Sequence, residues 1–208
     1  VSPLIRTWLQ NNGTKAPDRD LLITSALFLL WLWEEDLNTS WTHLMATIQG
    51  LKHAGLETKR QRLVLDYVVG PLNRNGMYQH LLDEWLLPMV EADDPEILGE
   101  ALGQIGKQYL HIGGYNTALD YLKKSLAIRQ KIGDPSGLCA TIFNIGHIHL
   151  QNGDHREAMD AWASVYGMAK RINLFQVLEA LETLADHLKL SGGMNAWETW
   201  LDKMKNSD

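Results

Sequence analysis

The fold can be inferred from two stretches of equal length: residues 102–122 are LGQIGKQYLHIGGYNTALDYL, and residues 142–162 are IFNIGHIHLQNGDHREAMDAW. When the stretches are aligned, the residues of the shared pattern recur at one constant offset, as Gly106 does in Gly146 and Ala118 does in Ala158. A repeat of about 40 residues is typical of proteins in which similar helical units stack in a row. The spacing therefore predicts an architecture, while it identifies neither a ligand nor a reaction.

Weaker copies of the pattern precede and follow these two stretches. The earlier copy begins near Leu65 and turns at Gly76, and the later copy begins near Leu181 and turns at Gly192. No segment alternates polar and apolar residues as a strand would, so an all-α fold is expected. Turn and helix-stop signals predict helices near residues 2–11, 18–33, 41–53, 57–74, 77–90, 95–112, 115–132, 135–152, 155–172, 174–190 and 194–206.

These helices are predicted to form one helical-repeat domain over residues 1–208. Its predicted parts are divergent helices at 1–55, repeat units at 57–91, 95–132 and 135–172, and a capping pair at 174–208. Several helix starts are marked by capping signals. Asp94-Pro95 and Asp134-Pro135 each place a carboxylate cap before a proline at the first helical position. Asp154-x-x-Glu157 and Asn195-x-x-Glu198 resemble capping boxes.

The recurring residue types suggest how the helices pack. Small residues at Gly106 and Gly146 would let the two helices of a pair approach closely, and large residues at Leu122, Trp162 and Trp85 would fill the gap between pairs. Positive φ, which glycine adopts at little steric cost, is expected at the four turn glycines: Gly76, Gly113, Gly153 and Gly192. Because one pair cannot bury its apolar face alone, each pair depends on its neighbours.

Composition excludes several classes of function. The chain is 45% hydrophobic and 21% charged, which is typical of a globular protein, and its net charge of −6 includes no basic block that would bind nucleic acid. A single cysteine, Cys139, can form neither a disulfide framework nor a thiolate metal site, which fits a reducing cytoplasm. The chain begins at Val1 without methionine, which suggests a fragment of a longer protein.

The most apolar run extends from Leu21 to Trp33. It is too short to span a bilayer as a helix, which takes about 20 residues. A helix that is apolar on all sides is usually buried, and we expect a buried helix here. Contact with a membrane or with a partner is the alternative, and the role of this helix stays open.

The repeated pattern resembles the tetratricopeptide repeat (TPR). The residues that carry the resemblance are Leu102-x-x-Ile105-Gly106-x-x-Tyr109 followed by Gly113, Tyr115, Ala118 and Leu122, and their counterparts in the second stretch. Units near 98–132 and 138–172 match well, whereas 61–91 and 177–206 match in part. The resemblance implies a right-handed α-solenoid of antiparallel helix pairs. Residues 127–137 resemble the linker of long bacterial TPRs, which often accompany signalling ATPases or caspase-like (CHAT) proteases.

The resemblance also implies a concave groove, lined by the first helix of each pair, that holds a peptide or a partner helix. The positions carried over as partner-binding are Tyr67, Arg74, Gln104, Lys107, His111, Asn144, His147 and Gln151. Asp66, Glu182, Asp186 and Lys189 occupy related positions. A polar helix face exposed to solvent is the alternative interpretation. Asn144 belongs to no complete chaperone-binding clamp, because Gln104 and Thr183 stand where that clamp needs cations.

Catalytic and metal chemistry are not expected. His147 and His149 lie two positions apart on a helix and therefore point in nearly opposite directions. His149 takes the consensus tyrosine position, so we predict a packed core histidine. No nucleophile, base and orienting group can be assembled. We therefore predict no catalytic residue, no metal and no cofactor.

The predicted function is that of a cytoplasmic protein-interaction and regulatory module. It is predicted to bind a protein or peptide and no nucleic acid, and a membrane contact is not expected. Two alternatives stay open. The chain could be a sensor arm that makes mainly intramolecular contacts with an enzymatic domain of the same polypeptide. It could instead be a self-assembling scaffold.

Overall fold

The structure, a computed structural model, describes residues 37–206. The helices predicted near residues 2–11 and 18–33, including the apolar run from Leu21 to Trp33, lie outside the described residues. The chain divides into two compact units, Val1–Val68 and Val69–Asp208. Each unit is described by itself.

The first unit contains two helices in its described part. Helix α1 (Leu37–His53) and helix α2 (Glu57–Tyr67) are joined by a short turn at Gly55 and pack against each other. Their buried apolar side chains belong to one face of each helix, as the helical period requires: Leu44, Ile48 and Leu51 in α1, and Val64 and Leu65 in α2.

The second unit begins with irregular helical segments. These are α3 (Val69–Arg74), α4 (Tyr78–Leu81), a π-helical turn (Leu82–Leu86) and a 3-10 turn (Leu87–Met89). The sequence predicts one continuous helix over 57–74 and another over 77–90. Proline accounts for both differences. Pro71 and Pro88 each lack the N–H that would bond to the carbonyl four residues earlier, and the proline ring clashes with that carbonyl.

Six regular helices follow, and they begin and end within a few residues of their predicted limits. They are α5 (Pro95–His111), α6 (Tyr115–Ile132), α7 (Pro135–Asn152), α8 (His155–Ile172), α9 (Phe175–His187) and α10 (Asn195–Lys205). Each of α5 to α8 packs against the next helix in the chain, α5 also contacts α7, and α8 also contacts α10. No strand occurs within residues 37–206. The predicted all-α solenoid of helix pairs is confirmed.

The proline-associated caps are formed as predicted. The Asp94 carboxylate accepts hydrogen bonds from the backbone N–H groups of Glu96 (2.9 Å) and Ile97 (3.2 Å), and the Asp134 carboxylate accepts one from Gly137 (2.8 Å). The turn glycines have positive φ, as predicted: Gly76 (68°), Gly113 (80°), Gly153 (86°) and Gly192 (96°).

The two predicted capping boxes are wrong. The Asp154 side chain makes no capping hydrogen bond to α8, because its carboxylate lies beside the His149 ring instead, 3.5 Å from Nδ1. Asn195 lies inside α10, since the preceding turn leads directly into the helix and Met194 becomes the cap residue. The prediction for His149 also needs correction: its side chain is 27% exposed and sits at the edge of the core.

Glycine at the crossing points of the helices permits the close approach that was predicted. A Cβ added to Gly106 would lie 2.6 Å from Cγ of Leu122, and one added to Gly146 would lie 2.4 Å from Nε1 of Trp162. Leu122 and Trp162 are fully buried, as expected of residues that fill the space between pairs. Trp85 is only partly buried, because the π-helical turn changes the helical phase and places its leucines in the core.

Tryptophans connect the last helices of the second unit. The Trp162 and Trp197 rings meet edge to face with centroids 6.1 Å apart. Trp162 donates its indole hydrogen bond to the Phe143 carbonyl (3.0 Å), and Trp197 donates to the Leu181 carbonyl (3.0 Å). Trp200 donates to Oδ1 of Asp160 at 2.7 Å, across 40 residues of sequence. Satisfied indole groups of this kind let large aromatic side chains be buried.

A buried polar cluster fixes α5 relative to α6. Ser125 donates a hydrogen bond to the Gly99 carbonyl (2.6 Å), and Nε of Arg129 donates to the same oxygen (3.3 Å). Arg129 is 8% exposed, and burial lowers the pKa of its guanidinium group. Thr141 of α7 lies 3.4 Å from Ser125, hydroxyl oxygen to hydroxyl oxygen. Ser125 of α6 therefore contacts both α5 and α7 and links these two helices. Helices α5 and α7 form two sides of the groove described next.

Candidate functional site

A groove of about 700 Å³ runs along α5, α7 and α9, in the second unit. Six of the eight residues predicted to bind a partner line it: Gln104, Lys107, His111, Asn144, His147 and Gln151. They come from α5 and α7, which the buried polar cluster holds together. The predicted positions are therefore gathered at one surface, while their role in binding stays a prediction.

Tyr67 and Arg74 are not among the residues that line this groove. Tyr67 ends α2 in the first unit, and Arg74 is exposed at the end of α3. Helix α9 contributes its first half, Gln176, Val177 and Ala180, to the groove. Three related positions, Glu182 and Asp186 in α9 and Lys189 just after it, are exposed and lie outside the lining.

The groove has an apolar part that sequence reasoning did not identify. It consists of Leu110, Ala140, Phe143, Val177 and Ala180, with the buried thiol of Cys139 at its base. A signal for part of it was present in the sequence. Ala140, Phe143, His147 and Gln151 follow one another at spacings of three or four residues, which places them on one face of α7. The groove thus combines an apolar floor with polar side chains around it.

Aromatic contacts hold the two groove histidines in place. The His111 ring stacks on Tyr78 of α4, with centroids 4.6 Å apart. The His147 ring meets Phe143 at 4.9 Å and Trp162 at 5.2 Å, in both cases edge to face. These contacts restrict the rotamers of both rings, which line the groove.

Both histidines favour the neutral form. Burial lowers the pKa of His111, and the positive charge of Lys107 lowers that pKa further. Burial also lowers the pKa of His147, with additional repulsion from His111 and His187. Because both values lie below the ordinary 6.5, the two rings are mainly uncharged at neutral pH.

Amide side chains supply hydrogen-bonding groups along the groove. Oε1 of Gln104 is buried and has no hydrogen-bond partner among the described residues. Tyr115 donates its hydroxyl hydrogen bond to Oε1 of Gln151 at 3.4 Å, a long contact. Asn144 and Gln176 carry further amides. An unpaired buried acceptor favours any ligand that brings an N–H group to it.

Residues 37–206 contain no group of three or more His, Cys, Asp or Glu side chains arranged to hold a metal ion. None of the described helices is long and apolar enough to cross a membrane. Burial raises the pKa of Cys139, with a further contribution from Asp134, so its thiol is mainly protonated at neutral pH.

Comparison with known proteins concerns the same helices. Residues 98–171 match the family model of the tetratricopeptide repeat. The matched range covers most of α5 and all of α6 and α7, and ends one residue before the end of α8. It contains all six predicted positions that line the groove. A comparison with curated proteins found no match.

Proposed function

We propose that this chain binds a peptide or a partner helix in the groove between α5, α7 and α9. Residues 98–171 are tetratricopeptide repeats, and repeats of this family are non-catalytic modules that generally mediate protein–protein interaction. The observation that carries the proposal is the convergence of Gln104, Lys107, His111, Asn144, His147 and Gln151 on that groove. The two contributing stretches are equivalent parts of successive repeats.

The composition of the groove supports recognition of a chain segment. Peptide-binding surfaces combine an apolar pocket for an anchoring side chain with polar groups that fix the register of the bound segment. Phe143, Val177 and Ala180 supply the apolar surface, and Gln104 and Asn144 supply amides. An extended segment would use those amides best, because its own backbone groups are unpaired before it binds.

We place this interaction in the cytoplasm, in the regulatory part of a signalling protein. A chain with a single cysteine fits a reducing compartment. The signalling role and the bacterial origin rest on the resemblance of residues 127–137 to the linker of long bacterial repeats.

A selection experiment tests the groove. Peptides are selected from a random library on the full chain, and the affinity of the best peptide is measured by calorimetry. We expect Lys107→Ala combined with Asn144→Ala to weaken binding by about tenfold or more, which corresponds to roughly 1.4 kcal/mol. The melting temperature should change little, because neither side chain is fully buried.

The matched control removes the same two side-chain types from α6. Lys123 and Asn116 are both exposed there and do not line the groove. Lys123→Ala combined with Asn116→Ala should leave the affinity unchanged. Equal losses in the two double variants, or no loss in the groove variant, would show that the peptide binds elsewhere.

A further inference from the structure

The charge on the groove wall differs from that of the chain as a whole. The chain has 25 acidic and 19 basic side chains, with a net charge of −6. The side chains that line the groove include Lys107, His111 and His147, and none of the lining residues is Asp or Glu. A groove wall with a cation and two imidazoles, and without carboxylates, is complementary to a negatively charged occupant.

These three side chains form one electrostatic group. Lys107 and His111 lie four residues apart on α5, which places them on the same face of the helix. His147 faces them from α7, and it interacts electrostatically with His111 and with His187 of α9. Tyr78 from α4 and Trp162 from α8 also contact the two rings, and neither adds a carboxylate or an amino group there.

The acidic residues of the neighbouring helix α9 do not line the groove. Helix α9 carries Glu179, Glu182 and Asp186, all exposed and all outside the lining. On the α6 side, Tyr115 lines the groove through its phenol group. Besides each other, the two histidines therefore face these titratable side chains: Lys107, Tyr78, Tyr115, His187 and the protonated thiol of Cys139.

We propose that the occupant of the groove is a peptide segment that presents a carboxylate to Lys107, His111 and His147 and an apolar side chain to the floor at Phe143, and that acidification strengthens its binding. This inference rests on the proposed function, since it specifies the chemistry and the regulation of the same groove. It distinguishes the occupant from a neutral or basic segment, which would gain nothing from the cation.

The dependence on pH follows from linkage. A carboxylate bound beside the imidazoles favours their protonated forms and raises their pKa relative to the free protein. The complex therefore takes up protons when it forms. Affinity rises as the pH falls through the bound-state pKa values and levels off below the free-state values. At still lower pH, near about 4, the peptide carboxylate itself becomes protonated and affinity falls again.

Three synthetic peptide pools test this inference with the full chain. The pools share their length and their apolar positions, and their remaining positions carry either Asp and Glu, or Asn and Gln, or Lys and Arg. Binding is followed by NMR, through the backbone signals of Lys107, Asn144 and His147, at about pH 8 and about pH 6, on either side of the ordinary imidazole pKa. We expect the acidic pool to shift these signals, with affinity about tenfold higher at the lower pH.

The outcomes separate this inference from the proposed function. If the amide pool binds the groove as well as the acidic pool does, with no change between the two pH values, the groove remains a peptide site and the acidic preference is overturned. If the basic pool binds best, the inference is likewise overturned. If no pool shifts the groove signals, both the inference and the proposed function fail.

Substitution of the histidines tests their part in the pH effect. His111→Gln combined with His147→Gln should remove most of the affinity change between the two pH values, while Lys107 retains the residual affinity for the acidic pool. His147 packs against Trp162, so His111→Gln alone is tested if the double variant does not fold. The single variant should reduce the affinity change between the two pH values. His155→Gln, at an exposed position outside the groove, should keep the full change. If the groove variants keep the full affinity change between the two pH values, the inference is overturned.

Discussion

Close helix contacts in this protein depend on single glycines, and Gly146 gives the sharpest test. Gly146→Ala would place a methyl group 2.4 Å from Nε1 of Trp162, whose indole is itself held by the Phe143 carbonyl. We expect the free energy of unfolding to fall by about 1–3 kcal/mol, as in other overpacked cores, measured by urea denaturation.

The control for this substitution is Gly50→Ala. Gly50 lies within α1, and an added Cβ meets nothing within 4 Å. Alanine there should be neutral or should stabilise by about 0.5–1 kcal/mol, because alanine loses less backbone freedom than glycine on folding. Similar effects of the two substitutions would contradict the packing argument.

His147 makes stability depend on pH. Because its pKa is lowered in the folded state, the unfolded chain binds more protons than the folded chain at pH values just below the ordinary histidine pKa, about 6.5. The full stability is therefore present above that pH, declines as the pH falls, and levels off below the lowered pKa. Urea denaturation at a series of pH values should show this decline, and His147→Gln should reduce it. A decline of the same size in the variant would assign it to other groups.

Among the helices, the two kinds of predicted cap offer a matched comparison. Asp94→Ala should lower the free energy of unfolding by about 0.5–2 kcal/mol, because two backbone N–H groups at the start of α5 lose their acceptor. Asp154→Ala should cost only a few tenths of a kcal/mol, since that carboxylate makes no capping hydrogen bond. Thermal melting followed by circular dichroism measures both. The reverse order of the two effects would be incompatible with the observed caps.

Helix limits could be predicted from the sequence where the deciding group is local. Asp134 and Gly153 illustrate this: a carboxylate that bonds two or three residues ahead, and a residue with positive φ, need no distant partner. Prediction failed where a second group competed or where the helix was already altered. Asp154 lies beside His149, and Pro88 lies in a 3-10 turn that directly follows a π-helical turn.

For the molecule as a whole, the cluster of aromatic side chains around Trp162 connects successive helix pairs. Trp197→Ala should lower the free energy of unfolding by about 3–5 kcal/mol, because a fully buried indole is lost from that cluster. Phe175→Ala removes another large aromatic ring, but one that is 76% exposed, so its effect should stay within about 0.5 kcal/mol. Urea denaturation measures both variants. A comparable decrease in the free energy of unfolding for the two would contradict this assignment of the core.

The candidate site could be predicted where the repeat is regular. Gln104 and Asn144 occupy equivalent positions in successive repeats, and the structure brings both to the groove. Arg74 lies in the irregular segment before α5, where the helical phase is interrupted. Its predicted position was carried over as if that helix were regular, and the structure does not place it in the groove lining. The apolar floor at Phe143 and Val177 was missed because its surface forms only when α7 and α9 lie side by side.

The hydrogen bond between Trp200 and Asp160 has a consequence for how the chain folds. It joins residues 40 positions apart, which is the length of one repeat. Contacts between neighbouring pairs therefore require only one further repeat of chain, and loop closure over that length is fast and costs little entropy. During synthesis, each helix pair can dock on its predecessor as soon as it is complete. Folding of the repeats need not wait for the last residues to be made, and it can start from any adjacent pairs.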